Sequence, residues 1–356
     1  MVDITFWKGK KVFLTGNTGF KGSWITIWLL EMGAEVIGYS NEVTTTPSLF
    51  ESAGLRAQIK YIEADINDLK TLSDSVKASQ PDIVLHFAAQ PLVRLSYSEP
   101  VMTYETNVMG TVKILESIRN VHSVKSAVII TTDKCYENKE WEYGYREVDP
   151  MGGYDPYSSS KGAAELVISS YRNSFFRDSS TRVASARAGN VIGGGDWAVD
   201  RLIPDLVRGA SAGEKVKIRN PLAIRPWQHV LEPLSGYLVL AQKCYEGDDN
   251  IDEAWNFGPE IKDAKNVEWI SELASEVWNK GKLWELDDEN HPHEAKFLKL
   301  DISKAYHNLK WSPKWDAEKA VIKTIDWYKA FYSSELHNSA VYELCVNDIK
   351  DYLKQE

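Results

Sequence analysis

The sequence predicts an α/β protein: a doubly wound parallel sheet of the Rossmann type with a smaller C-terminal substrate-binding domain. Three observations carry that prediction. Short apolar runs alternate with longer helical patterns over the first half of the 356 residues. A glycine-rich turn, Gly16-Asn17-Thr18-Gly19-Phe20-Lys21-Gly22, directly follows the first of these runs. The alternation then fades near residues 188–195. Strands that alternate with helices pair in parallel, because each needs a crossover to reach its neighbour.

KKVFLTG (10–16) reads as a strand buried on both faces. From Phe20 to Gly33 the residues Trp24, Ile27, Trp28 and Met32 recur at helical spacing. AEVIGYS (34–40) and IKYIEADI (59–66) are the second and third strands, and residues 68–79 the next helix. DIVLHFAA (82–89) is the fourth strand, residues 97–121 a long helix, and SAVIITTD (126–133) the fifth strand. A helix over 157–177 leads to the sixth strand, RVASARAGN (182–190). Beyond it, short strands at 215–219 and 282–286 mix with helices at 200–212, 233–246 and 266–279, and helices at 316–333 and 336–354 close the chain. The reading assigns 1–190 to the dinucleotide-binding domain, with a segment near 222–258 returning to it, and 191–356 mainly to the substrate-binding domain.

Composition narrows the function classes. Apolar residues make up 43% and charged residues 26%, as in folded soluble proteins, which excludes disorder. Lys plus Arg number 41 against 51 Asp plus Glu, a net charge of −10 that argues against nucleic-acid binding. Cys135, Cys244 and Cys345 are too far apart for a zinc site, and their odd number argues against a disulfide framework, so no metal site is expected. The start, MVDITFWKGKK, lacks a signal-peptide core, and the apolar run Trp24–Leu30 is far short of a membrane span. A cytoplasmic address is the expectation.

The glycine turn sits between a strand and a helix, where Gly16 makes the turn, Gly19 lets amides approach a pyrophosphate and Gly22 lets the helix pack on the strand. An acidic residue at the end of the second strand would normally bond the adenosine ribose. Here that strand ends Tyr39-Ser40-Asn41, so Ser40 or Asn41 must serve, and the absence of a nearby cation favours NAD over NADP. Asp65 and Ile66, ending the third strand, stand where a carboxylate can accept from the adenine amino group. Tyr157-Ser-Ser-Ser-Lys161 places a phenol and an ammonium on one helix face, an arrangement that favours phenolate. A second copy, Tyr306 to Lys310, falls in the irregular half and reads as structural. Thr131-Thr132-Asp133-Lys134-Cys135-Tyr136 closes the fifth strand at the ligand edge of the sheet.

GxxGxxG, the strand ending His86-Phe87-Ala88-Ala89-Gln90, Asn107, Thr-Asp-Lys and YxxxK together resemble the extended short-chain dehydrogenase/reductases. Within them the chain resembles the nucleotide-sugar 4,6-dehydratases over roughly residues 8–330. Thr-Asp-Lys-Cys-Tyr, RAGNVIGGGDW (187–197) and RPWQHV (225–230) are most similar to the members acting on CDP-glucose. The resemblance implies NAD as cofactor and CDP-glucose as substrate. The reaction it implies is oxidation at C4, elimination of water across C5 and C6, and hydride return to C6. Its cofactor contacts fall on Gly16, Thr18, Gly19, Phe20, Gly22, Ser40, Asp65, Ile66, Phe87, Ala88, Ala89, Asn107, Tyr157 and Lys161. Tyr157 would take the 4-hydroxyl proton, Thr132 align that hydroxyl, and Lys161 lower the tyrosine's pKa. Asp133 would protonate the 6-hydroxyl, and Lys134 would serve as the C5 base or as an ammonium stabilising the enolate. Gln90, Arg94, Asn190, Arg219, Arg225 and His229 are the substrate candidates, with Arg187 nearby. Arginines pair well with diphosphate oxygens.

Two rival readings are a nucleotide-sugar 4-epimerase, which needs no Asp-Lys pair, and a non-catalytic NAD-binding regulator, which need not keep Thr132, Tyr157 and Lys161. Helices 97–121 and 157–177 carry apolar residues on more than one face, among them Val108, Val112, Leu115, Leu166 and Ile168. Relatives of this kind pair these helices across a two-fold axis, so a homodimer or homotetramer is expected.

Overall fold

The computed structural model describes residues 2–287, 297–333 and 338–354. Its central sheet contains β1 (Lys11–Thr15), β2 (Glu35–Ser40), β3 (Lys60–Glu63), β4 (Ile83–His86), β5 (Ser126–Ile130), β6 (Arg182–Arg187) and β7 (Ala254–Asn256). All pairings are parallel, in the spatial order β7-β6-β5-β4-β1-β2-β3. The chain winds outward from β1 through β2 to β3, then returns to place β4 on the other side of β1. That reversal opens a crevice at the C-terminal ends of β1 and β4, where sheets of this type bind ligands.

The strand period decides which face each residue covers. Val12 and Leu14 join one core with Trp24, Ile27 and Trp28 of helix Phe20–Glu31. Phe13, between them, joins the opposite core with Val76, Leu115 and Ile168. Both faces are thus sealed by helices, which is why the strands are apolar at successive positions rather than at alternate ones.

Three features depart from the sequence reading. The seventh strand, β7, was not expected; it pairs Ala254 with Ser185 and Asn256 with Arg187, beside helix Leu231–Glu246, which packs on β5 and β6. The helix expected over 97–121 divides into Val93–Ser98, Pro100–Tyr104, a wide turn at Glu105–Met109, and Gly110–Ile118. Pro100 has no N–H to donate and therefore starts a new helix at its first position. The next helix spans Pro156–Tyr171 and ends in a wide turn at Arg172–Phe176. The second half supplies helices Leu202–Ala212, Val267–Trp278, Ala317–Ser333 and Asn338–Lys354. Residues 336–337 of the last expected helix lie outside the described residues.

A buried carboxylate ties the last helix down. Glu232 accepts hydrogen bonds from the Trp315 amide at 2.7 Å, the Lys314 amide at 3.0 Å and the Tyr352 hydroxyl at 2.7 Å. Burial nevertheless pushes its pKa up to about 7 from the ordinary 4.5. A carboxyl raised on folding contributes stability fully below 4.5 and loses it as pH rises through 7. Melting temperature should therefore carry a downward component across that interval, and Glu232→Gln should flatten it. An unchanged pH dependence in the glutamine variant would contradict this account.

Candidate active site

Thr15, the last residue of β1, places its hydroxyl 2.7 Å from His86 Nδ1 on β4. The chain then turns at Gly16, with φ +73°, and enters helix Phe20–Glu31. A Cβ at Gly16 would lie 2.6 Å from the Ala88 amide nitrogen, and one at Gly22 would lie 2.0 Å from the Gly16 carbonyl oxygen. Only glycine lets this turn lie flat against the backbone beyond β4 while the helix closes onto it. Gly19 caps the helix with no side-chain hydrogen bond, which leaves the first amides of the helix open to an anion. The cradle fits a dinucleotide pyrophosphate. Gly16, Thr18, Gly19, Phe20 and Gly22 line one end of a cleft of about 1250 Å³, and Ser40, Asp65, Ile66, Phe87, Ala88 and Ala89 continue its wall.

The ribose end is built differently from the expectation. Ser40 Oγ donates to Asn17 Oδ1 at 2.8 Å and accepts from the Thr18 amide at 3.4 Å. Its hydroxyl therefore holds the glycine turn together. Asn41 and Glu42 line the cleft beyond it, and Thr18 Oγ1 pins the Glu42 carbonyl at 3.1 Å.

At the other end, β5 delivers Thr132 and Lys134 to the cleft wall, and helix Pro156–Tyr171 delivers Tyr157 and Lys161. Asp155 caps that helix by accepting from the Ser158 amide at 2.9 Å, which fixes Tyr157 in its first turn. The Tyr157 hydroxyl is hydrogen-bonded with Thr132, and Thr132 Oγ1 donates to Asp133 Oδ1 at 2.9 Å. Asp133 itself is wholly buried behind Thr132 and is not part of the cleft wall. Lys161 Nζ donates to the Ile130 carbonyl at 3.4 Å.

The electrostatics correct one expectation. Burial pushes the Tyr157 phenol up to about 12, although the Thr132 hydrogen bond opposes it. Lys161 is not among the groups that lower it, its ammonium being turned to the Ile130 carbonyl. Burial also brings Lys161 down to about 8, against the raising influence of Glu165.

The substrate candidates divide. Asn190 (φ +47°), Arg219 and Arg225 line the cleft, and Arg94 lies at it with its guanidinium 3.0 Å from Asp200. His229 is a correction. It is fully buried between Trp24 and Trp315, with ring centroids 5.9 and 4.8 Å away, and burial pushes its pKa down to about 3. Gln90 borders the cleft, but its side chain is engaged with Leu92 and Thr103. Asn107 does not reach the cleft wall either; it clamps the Gln90 backbone at 2.9 and 3.1 Å and bonds Ser160 Oγ at 2.9 Å. Arg187 is buried under the site, 2.7 Å from Glu165, where burial works against its charge and Glu165 restores it. Tyr306 is exposed and away from the cleft wall.

Two cations were missed. Lys21, inside the glycine turn, lines the cleft, and burial lowers its pKa to about 7, helped by Arg201, Lys161 and Lys134. Its signal was a lysine at the start of an otherwise apolar helix. Arg201 also lines the cleft; burial opposes its charge, but Asp196 at 2.7 Å holds its pKa above the ordinary value. Four cations thus converge near Tyr157 and Asp133.

A doubly wound sheet whose glycine turn and Tyr-Lys pair face one cleft defines an extended short-chain dehydrogenase/reductase. The family described as GDP-mannose 4,6 dehydratase matches residues 13–324, and the chain belongs to it. The chain is 54% identical over 340 residues to the CDP-glucose 4,6-dehydratase of Salmonella typhimurium, covering 94% of this chain and 95% of that one. It is 26% identical to the CDP-paratose 2-epimerase of Salmonella typhi, over 89% of this chain and 98% of the other. Among solved structures, a dTDP-glucose 4,6-dehydratase from Bacillus anthracis in complex with NAD superposes with a TM-score of 0.76 at 23% identity, covering 91% and 98% of the two chains. A UDP-glucose 4-epimerase from Thermotoga maritima superposes at 0.78 with 21% identity, covering 90% and 99%. The likeness to these two structures concerns the fold.

Proposed function

We propose that this protein dehydrates CDP-glucose to CDP-4-keto-6-deoxyglucose with NAD as its resident cofactor. The observation that carries the reading is the Thr132-Asp133-Lys134 turn set against Tyr157 and Lys161, in a chain 54% identical to a CDP-glucose 4,6-dehydratase. An epimerase needs the Tyr-Lys pair but has no water to expel.

Bound NAD supplies the acceptor for the C4 hydride and its donor to C6. Tyr157 takes the 4-hydroxyl proton, and the Thr132 hydrogen bond and the positive charge of Arg201 favour its phenolate against burial. Thr132 holds that hydroxyl in line. Oxidation makes the C5 proton acidic, and Lys134, facing the cleft, serves as base there and gives a solvent-exchanged proton back to C5 when hydride reaches C6. Asp133, buried behind Thr132, supplies the proton with which the 6-hydroxyl leaves as water, passed on through the Thr132 hydroxyl it bonds. Arg219 and Arg225, which line the cleft, receive the diphosphate. In this reading residues 1–190, joined by a segment near 222–258, hold the dinucleotide, and 191–356 mainly hold the sugar nucleotide.

Incubation with CDP-glucose should yield a sugar whose 4-ketone absorbs in alkali. Formation of CDP-galactose instead would make the epimerase the better account.

No helix among the described residues is long and apolar enough to cross a membrane, and the proposed address is the cytoplasm, where nucleotide sugars are made. The proposed assembly is a homodimer or homotetramer. Leu115 and Ile168 are spent on the sheet, but Val101 and Leu166 stand 69% and 63% exposed, with Tyr97, Tyr104, Met109 and Phe175 exposed on the same segments. Light scattering at micromolar concentration should give twice or four times the 40.3 kDa chain mass. A monomer mass would contradict it.

A further inference from the structure

Asp133 forms no ion pair with any cation among the described residues, although Lys21 feels its charge. Its Oδ1 accepts from Thr132, but its Oδ2 is buried without any hydrogen-bond partner. A carboxylate left this way would turn toward water unless something kept it from turning. The backbone of Gly189 stands against it. A Cβ built on Gly189 would lie 1.8 Å from Oδ2, 2.0 Å from Cγ and 2.2 Å from Oδ1. All three carboxyl atoms therefore occupy the space that any other residue at 189 would fill.

Gly189 is held in place by a hydrogen bond from Gln228. Gln228 Nε2, from a buried position, donates to the Gly189 carbonyl at 3.1 Å and to the Phe257 carbonyl at 3.0 Å. Asn190, the next residue, is fixed in turn by the Gln228 amide at 3.2 Å. Three chain segments, after β5, after β6 and at 228, are thus stacked so that the Asp133 carboxyl is pressed against the Thr132 hydroxyl.

We propose that Gly189, backed by Gln228, is a positioning residue that sets the Asp133 carboxyl for the elimination step. The inference rests on the reading of Asp133 as the acid for the departing 6-hydroxyl. Misplacing a catalytic group by about 1 Å can cost on the order of 100-fold in rate. Gly189→Ala should therefore slow water loss by about that factor, while C4 oxidation, followed as reduced-nicotinamide absorbance in a single turnover, keeps the wild-type rate. The contact itself is tested by melting. Gly189→Ala should lower the melting temperature in the native background and lower it much less in an Asp133→Ala background, where the carboxyl is gone.

The outcomes separate the two claims. If Asp133→Asn eliminates water at the native rate, the reading of Asp133 fails, whatever Gly189 does. If Asp133→Asn is slow but Gly189→Ala eliminates normally, the positioning inference is overturned. Equal loss of melting temperature in both backgrounds overturns it as well, because the alanine would then be clashing with something other than the carboxyl. Should Gly189→Ala alone fail to fold, recovery of the fold in the Asp133→Ala double variant supports the contact, and its absence contradicts it.

Discussion

Tyr157→Phe should retain the fold and lose turnover by about 10²–10⁴-fold, the usual contribution of a general acid–base group. The ring is buried in the first turn of its helix, and phenylalanine keeps that packing while removing only the hydroxyl that bonds Thr132. The loss should fall on C4 oxidation, the first step, so neither reduced nicotinamide nor keto sugar should accumulate. Tyr306→Phe, the matching change in the exposed YxxxK copy, should remain active. Near-native turnover in the Tyr157 variant would remove that residue from the mechanism.

The second large effect divides the reaction in two. Asp133→Asn keeps the shape of the buried side chain, which can still bond Thr132, but has no proton to give. It should oxidise C4 normally and expel water about 10²–10⁴-fold more slowly, so that reduced-nicotinamide absorbance rises before any keto-deoxy product appears. Lys134→Met removes both the amine and its charge from the cleft wall and should stall at the same stage. Equal loss of oxidation and elimination in both variants would mean that the pair only positions the substrate. Normal turnover in both would favour the epimerase.

Much of this was legible because it is written locally. The strands β1 to β6 are runs of apolar residues at successive positions, and the glycine turn and YxxxK are fixed by short spacings. β7 was not legible: three residues, Ala254-Trp255-Asn256, carry no period, and they become a strand only because β6 offers an edge beside helix Leu231–Glu246. His229 misled for a related reason. Arg225 and Trp227 face the cleft, but the Trp227 amide turns back to the Arg225 carbonyl at 3.1 Å, so the alternation that would carry His229 to the same side is broken. The charge environment was the least legible part. Lys21, Lys161 and Arg201 are separated by 140 and 40 positions in sequence and meet only when the cleft forms. The same holds for Asp133, whose carboxyl occupies the space that a side chain at Gly189, after β6, would need.

The central claim is that one cleft oxidises C4 and then breaks the C5 hydrogen and C6 oxygen bonds of the same sugar. Turnover of CDP-glucose in deuterium oxide tests it most directly. The account predicts a product that has lost one water and carries solvent deuterium at C5, where Lys134 exchanged the proton. A product of unchanged composition, inverted at C4 and free of deuterium at C5, would contradict it.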